Sequence, residues 1–241
     1  MDKEYVNEFL DFVGRAPTAF HACAVLSHML LEAGFEELSE GDAWALLPGK
    51  KYYFTRNGSS LIAFAIPSDG GEHFQVVAAH GDSPMLKLKP AVEHATGPYL
   101  LLNTEVYGGA ILSTWFDRPL SIAGRLVVRD GNALQTRLID LERDLLVIPN
   151  MPIHFNRKVN DGVAIDKQVD LRPLLGDTED AGWLMNAVAE KAGISQDSIM
   201  ASELFVYDHM RGCLFGTRDQ FFSAPRIDDL ECAWKIGRAH V

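Results

Sequence analysis

The chain has 241 residues, enough for one large domain or two small ones, and its 47% hydrophobic and 23% charged residues are the ordinary balance of a globular protein with a core. Its 22 basic and 33 acidic residues leave a net charge of −11, and no basic stripe offsets the acid, which argues against a sequence-blind nucleic-acid binder. No apolar run approaches the roughly 20 residues of a membrane span, Met1-Asp2-Lys3-Glu4 lacks the regions of a signal peptide, and Cys23, Cys213 and Cys232 are odd in number and scattered, so a reduced, cytoplasmic setting is expected.

Residues 3–34 are predicted to form two helices, broken at Pro17 and Thr18. Thr18 is the expected N-cap of the second helix, which should reach Ala33 and stop at Gly34. Phe20, Cys23, Ala24, Ser27 and Leu31 share one face of it, the expected contact with a sheet. His21 and His28 on the same helix read as surface or helix-end residues. Tyr52–Arg56, Asn57-Gly58 and Ser59–Ile66 spell a β-hairpin, because Asn-Gly supplies the two positive φ angles of a type I′ turn. Phe74 to Ala79 reads as a buried parallel strand that ends at His80, with Asp82 two residues on and Ser83-Pro84 breaking the strand.

Beyond that strand the character changes. Tyr99–Val106, Leu120–Val128 and Leu134–Leu141 are β-rich, Asp130-Gly131-Asn132 is a turn signal, and no long amphipathic helix separates the strands, so an antiparallel unit is expected. Leu145–Pro149 is a further strand candidate, Pro173–Asp180 a loop, Trp183–Ala192 a helix stopped by Gly193, and Leu204–Tyr207 a strand. The fold class expected is α/β: a first domain over residues 1–89, a β-rich insert over 90–203, and the first domain resumed over 204–235.

Two segments carry chemistry. His80 at the carboxyl end of a parallel strand would face the crevice where open α/β sheets bind ligands. Imidazole is a good zinc ligand, and the Asp82 carboxylate behind it would fix ring tautomer and orientation. Taken alone, a strand-end histidine is more often a structural residue than a ligand. Ser223-Ala224-Pro225-Arg226-Ile227-Asp228-Asp229 places a second acid after a proline-bearing loop, where its simplest role is to cap a helix beginning near Asp229. His73, His94 and His209 read as surface or locally bonded residues.

Together these segments resemble the M18 metalloaminopeptidases, the aspartyl aminopeptidase family, over residues 6–234. The likeness is carried by Ala16-Pro17-Thr18-Ala19-Phe20-His21-Ala22, Thr55-Arg56-Asn57-Gly58-Ser59 and Ala79-His80-Gly81-Asp82-Ser83-Pro84. It continues through Lys87-Leu88-Lys89-Pro90, Tyr107-Gly108-Gly109, Ser113-Thr114-Trp115-Phe116-Asp117-Arg118 and Ala224-Pro225-Arg226-Ile227-Asp228. Gly81 stands where the family usually has threonine, and Asp229 where it usually has asparagine.

The resemblance implies a zinc-exopeptidase-like catalytic domain interrupted by a β-rich dimerisation domain. It implies an enzyme that uses two divalent metal ions, zinc being the expected metal, to remove N-terminal, acidic residues from peptides. His80 would bind one metal, Asp228 would bridge both, and Asp82 would orient His80. By position, His154 in the insert would reach the active site of a neighbouring subunit and hydrogen-bond the substrate carbonyl or the oxyanion. The partners implied are peptide substrates and further copies of the chain, as dimers and, in the complete family protein, a dodecamer; nucleic acid and membrane are not expected.

The family's further ligands, an adjacent Glu-Glu pair, another Asp and a late His, have no counterpart after Asp229, where only Cys232 and His240 follow. The C-terminal half of the catalytic domain is therefore expected to be missing and the chain inactive. The last six residues, 236–241, can be encoded by ATC GGA AGA GCA CAC GTC, a string within a short-read sequencing adapter, so a non-native tail is expected there. The competing reading is a catalytically inactive module that oligomerises or binds through the insert. Substrate preference is not legible, since uniform negative charge by itself repels acidic peptides.

Overall fold

A computed structural model describes residues 2–69 and 74–238. In chain order it begins with helices α1 (Lys3–Arg15) and α2 (Ala19–Glu32), then strands β1 (Glu36–Glu37), β2 (Lys51–Arg56) and β3 (Ser60–Ala65). Strands β4 (Met85–Thr96), β5 (Tyr99–Tyr107), β6 (Leu120–Asp130), β7 (Ala133–Asp140) and β8 (Leu174–Asp177) precede helix α3 (Trp183–Ala192) and strand β9 (Ile199–Asp208). The described chain closes with β10 (Cys213–Phe215), β11 (Phe221–Ser223) and helix α4 (Ile227–Arg238). These elements form two compact units, Met1–Ser83 with Arg211–Val241, and Pro84–Met210.

In the first unit Asp2 caps α1 by accepting from the Glu4 and Tyr5 amides, and Thr18 caps α2 by accepting from the His21 amide. Gly34 ends α2 with φ +81°. Phe9, Phe12 and Val13 of α1 form a core with Ala22 and Leu26 of α2 and with Leu230, Ala233 and Trp234 of α4. Leu30, Phe35 and Tyr53 make a second, smaller cluster. The buried stripe of α2 therefore differs from the expected one: Ala24 and Leu31 are exposed while Ala22, Leu26 and Leu30 are buried. The reason is that α2 packs on α1 and α4 as well as on β2 and β3, so a stripe chosen for a single sheet contact misses half of its burial.

The hairpin forms, β2 pairing antiparallel with β3 from Lys51↔Ala65 to Arg56↔Ser60, with the expected positive φ at Asn57 (+54°) and Gly58 (+63°) but a loop of three residues, Ser59 included, where two were expected. Phe74 to Ala79 does not form the expected buried strand. The segment is irregular, and Phe74 and Val76 are 95% and 82% exposed. A strand exists only through its neighbours' hydrogen bonds, and among the described residues no strand pairs with this one. His73 and His240 lie outside the described residues.

The second unit is built on a six-stranded sheet in the order β7-β6-β9-β4-β5-β8, with every neighbouring pair antiparallel. Leu86, Val206 and Ile122 sit side by side across β4, β9 and β6 and are fully buried. The sheet moves both expected domain boundaries. Residues 204–207 lie inside β9, which is paired on both edges, so the return to the first unit falls at Arg211 and not at 204. At the other end β4 already pairs with β5 from Met85, so the departure falls at Pro84 and not at 90. Pro90 hides this strand in the sequence; the register shift between Leu88 and Glu93 accommodates a residue with no N–H to give.

Residues 173–180, expected to be a loop, contain β8, a short edge strand in which Gly176 is tolerated. Leu145–Pro149, expected to be a strand, makes only the isolated bridges Leu120↔Leu146 and Val147↔Leu174. Helix α3 occupies the expected residues and stops at Gly193, φ +65°. No described helix is long and apolar enough to cross a membrane.

Candidate metal centre

The loop leading into α4 is fixed from both sides. Arg226, at φ +58°, donates from Nη2 to the Val13 carbonyl at 2.9 Å, tying the loop to the end of α1. Buried Ser83 donates from Oγ to the Asp228 carbonyl at 3.1 Å, tying it to the segment that carries His80. Asp228 and Asp229 have non-helical φ/ψ, so regular helix begins only after them, and the peptide between them is cis.

This arrangement brings His80, Asp82 and Asp228 together in the first unit. The His80 ring is 3.0 Å from the Asp82 main-chain oxygen through Nδ1, and 3.3 Å from Asp228 Oδ1 through Nε2. The Asp82 carboxylate, expected to be the partner of the ring, is farther from Nδ1, at 3.4 Å, so the closer contact is the Asp82 main-chain oxygen. A carbonyl only accepts, so Nδ1 carries the proton and the Nε2 lone pair points at Asp228. Two acceptors facing each other at this distance repel unless a cation or proton lies between them. The ring is accordingly more basic than usual, chiefly through its hydrogen bond to the Asp82 carbonyl, which burial opposes and the carboxylates of Asp229, Asp82 and Asp228 reinforce.

Asp229 belongs to the same cluster and is legible in the sequence only as a departure from the family's asparagine. Its Oδ2 accepts the His80 amide at 3.3 Å, and its carboxyl is held below the usual range by a hydrogen bond from Cys232, one turn on in α4, and by that amide. The same bond raises the Cys232 thiol. Cys23, Cys213 and Cys232 are all free thiols, only the first buried.

An imidazole nitrogen and a carboxylate oxygen are the donors zinc takes, and this pair fits as two ligands of an ion. It does not complete a site. Among the described residues no group of three or more His, Cys, Asp or Glu is placed to hold a metal, and the His80 and Asp228 side chains are 57% and 87% exposed.

His154 lies in the second unit, exposed, in a turn closed by the Phe155 and Asn156 amides donating to the Pro152 carbonyl at 2.9 and 3.2 Å. His209 is locally bonded, its Nδ1 2.6 Å from Asp144 Oδ1, and His94 sits on β4 opposite Leu101.

The profile of the M18 family, described as aminopeptidase I zinc metalloprotease, matches residues 12–241. A probable M18 family aminopeptidase 2 of Clostridium acetobutylicum is 42% identical over 237 residues, covering 95% of this chain and 55% of the relative. Among solved structures, Chaetomium thermophilum mApe1 superposes with a TM-score of 0.87 at 30% identity, covering 99% of this chain and 58% of that one. The S. cerevisiae mApe1 dodecamer superposes with a TM-score of 0.80 at 26% identity, covering 97% and 54%. The chain thus spans about half the length of the relatives it matches. With the family profile extending over nearly all of it, this chain belongs to the M18 aminopeptidase family.

Proposed function

We propose that the chain supplies the N-terminal half of a metal-dependent aminopeptidase that removes residues, acidic ones by preference, from the free N-termini of peptides. The observation that carries the reading is the His80–Asp228 pair, an imidazole nitrogen and a carboxylate oxygen 3.3 Å apart, the two donor types that zinc takes. His80 would hold a divalent ion through Nε2 while the Asp82 carbonyl fixes its tautomer, and Asp228 would supply carboxylate oxygen to the same dimetal site. When bound, a pair of zinc ions supplies Lewis-acid polarisation of the scissile carbonyl and lowers the pKa of water. Ser83 and Arg226 hold the loop of Asp228, so its backbone is fixed beside His80 before anything binds. His154, from the insert of a neighbouring subunit, donates to the substrate carbonyl as negative charge develops on its oxygen; the dodecameric yeast relative supports such an assembly. The setting is cytoplasmic. The remaining ligands and the general base belong to sequence corresponding to the other half of the relatives.

The test is metal binding and hydrolysis side by side. The 241-residue chain should cleave no N-terminal Asp or Glu peptide with zinc, manganese or cobalt added; robust, chelator-sensitive hydrolysis would overturn the assignment of a half-site. In the completed enzyme His80→Ala should lose zinc and activity together. Asp82→Asn keeps the main-chain oxygen and should cost roughly tenfold, the low end for groups that orient a ligand. Full zinc occupancy in His80→Ala would remove it as a ligand. The lack of a third described ligand also favours a second reading, a non-catalytic oligomerising module; zinc-independent assembly with no activity in the completed chain would select it.

A further inference from the structure

We propose that Asp117 is the positioning residue of the His154 loop, an inference that rests on reading His154 as a hydrogen-bond donor to substrate. Asp117 follows a short 3-10 turn, Leu112–Trp115, whose Trp115 is buried, and precedes Arg118, which pairs with the Asp208 carboxylate at the end of β9. It is thus anchored on both sides. Its backbone is left-handed, φ +56°, a conformation Asp and Asn adopt more readily than other residues with a Cβ.

From this fixed position Asp117 grips the chain leading to His154 twice. Its amide donates to the Ile148 carbonyl at 3.0 Å, and its Oδ1 accepts from the Asn150 amide at 2.8 Å. Ile148 is fully buried, whereas Met151, Ile153 and Phe155 are exposed. Asn150 then folds its own Oδ1 onto the Met151 amide at 3.0 Å, and the turn at Pro152 follows. Among the described residues, the Asp117 carboxylate makes the one side-chain hydrogen bond from outside residues 150–156 to that segment. The peptide between the sheet and His154 therefore leaves in a direction set by Asp117, and the side chain that would meet a substrate four residues later inherits that direction. A group displaced by about 1 Å can lose a hundredfold in rate, which is why an anchor this close matters.

The test separates the carboxylate from the backbone. Asp117→Gly keeps the left-handed conformation and removes the acceptor; Asp117→Asn keeps both. In hydrogen exchange of the full chain, Asp117→Gly should speed exchange of the Asn150 amide about tenfold or more while β6 and β9 amides keep their rates, and Asp117→Asn should restore it. Unchanged Asn150 exchange in Asp117→Gly with the sheet intact would overturn the proposal. In the completed, metal-loaded enzyme Asp117→Gly should lower kcat roughly 10- to 100-fold with KM and zinc content little changed. Combined with His154→Ala it should add nothing further, since both changes remove one interaction. Multiplying losses in the double variant would overturn the proposal alone. Full turnover in His154→Ala would overturn the reading of His154 and the proposal with it.

Discussion

At the scale of single residues, the centre depends on small side chains that leave room or lend one atom. Gly81, between His80 and Asp82, is the simplest case: a Cβ there would meet nothing within 4 Å, and its φ lies outside the left-handed region. Gly81→Ala should therefore stabilise the chain by about 0.4–1 kcal/mol through the unfolded state, readable as a higher urea midpoint. A lower midpoint would mean that the segment needs a conformation only glycine supplies. Asp82 gives the complementary lesson, because its identity drew attention to the carboxylate while its backbone oxygen makes the closer contact, and any residue carries that oxygen.

At the scale of elements, β9 decides the second unit. Glu203 on β9 faces Arg125 across β6, and Lys87 on β4 reaches it from the other side, at 2.8 and 3.2 Å. Burial works against the Glu203 charge, but the hydrogen bonds from Arg125 and Lys87 outweigh it, so its carboxyl lies below the ordinary value. A carboxyl with a depressed folded-state pKa contributes stability that is complete above the unfolded value, about 4.3, and fades as pH falls through the folded value. Glu203→Gln should thus cost about 1 kcal/mol at pH 7, a cost that shrinks as pH falls below the ordinary carboxyl value, read from urea unfolding at a series of pH values. A pH-independent difference would assign the effect to packing. Gly124, opposite Leu204, tolerates no side chain: a Cβ would collide with the Glu203 carbonyl oxygen and come within 2.9 Å of Leu204 Cα. Backbone cannot step aside there without unpairing β6 from β9, so Gly124→Ala should destabilise the unit by about 3 kcal/mol. A urea midpoint close to that of the parent would show that the strands part without loss.

At the scale of the whole molecule, the first unit is assembled from both ends of the chain and the second is threaded between them. Trp234 joins the ends of the first: it is buried, with its ring 4.6 Å from that of Tyr5 and 5.5 Å from that of Phe9. Trp234→Ala should cost about 3–5 kcal/mol. In hydrogen exchange the loss should fall on α1, α2 and α4, with β6 and β9 keeping their protection because their partners are all within their own unit. Equal loss in both units would show that they unfold as one.

What the sequence determined by itself was local or carried by the family resemblance. Asn57-Gly58 dictates its turn by two positive φ angles, Thr18 and Gly34 bound α2, Gly193 ends α3, and the family resemblance singles out His80, Asp82 and Asp228 as candidates, which the fold brings side by side. Tertiary structure decided whatever depends on partners distant in sequence. Phe74 to Ala79 has a strand's composition and no strand beside it, residues 173–180 have a loop's composition and pair with β5, and Pro90 sits inside β4 because a register shift absorbs it. The buried stripe of α2 was set by helices from both ends of the chain. Asp229 came beside His80 only when the hydrogen bonds of Ser83 and Arg226 fixed the loop before α4, since hydrogen bonds across 145 to 213 residues have no local sequence signature.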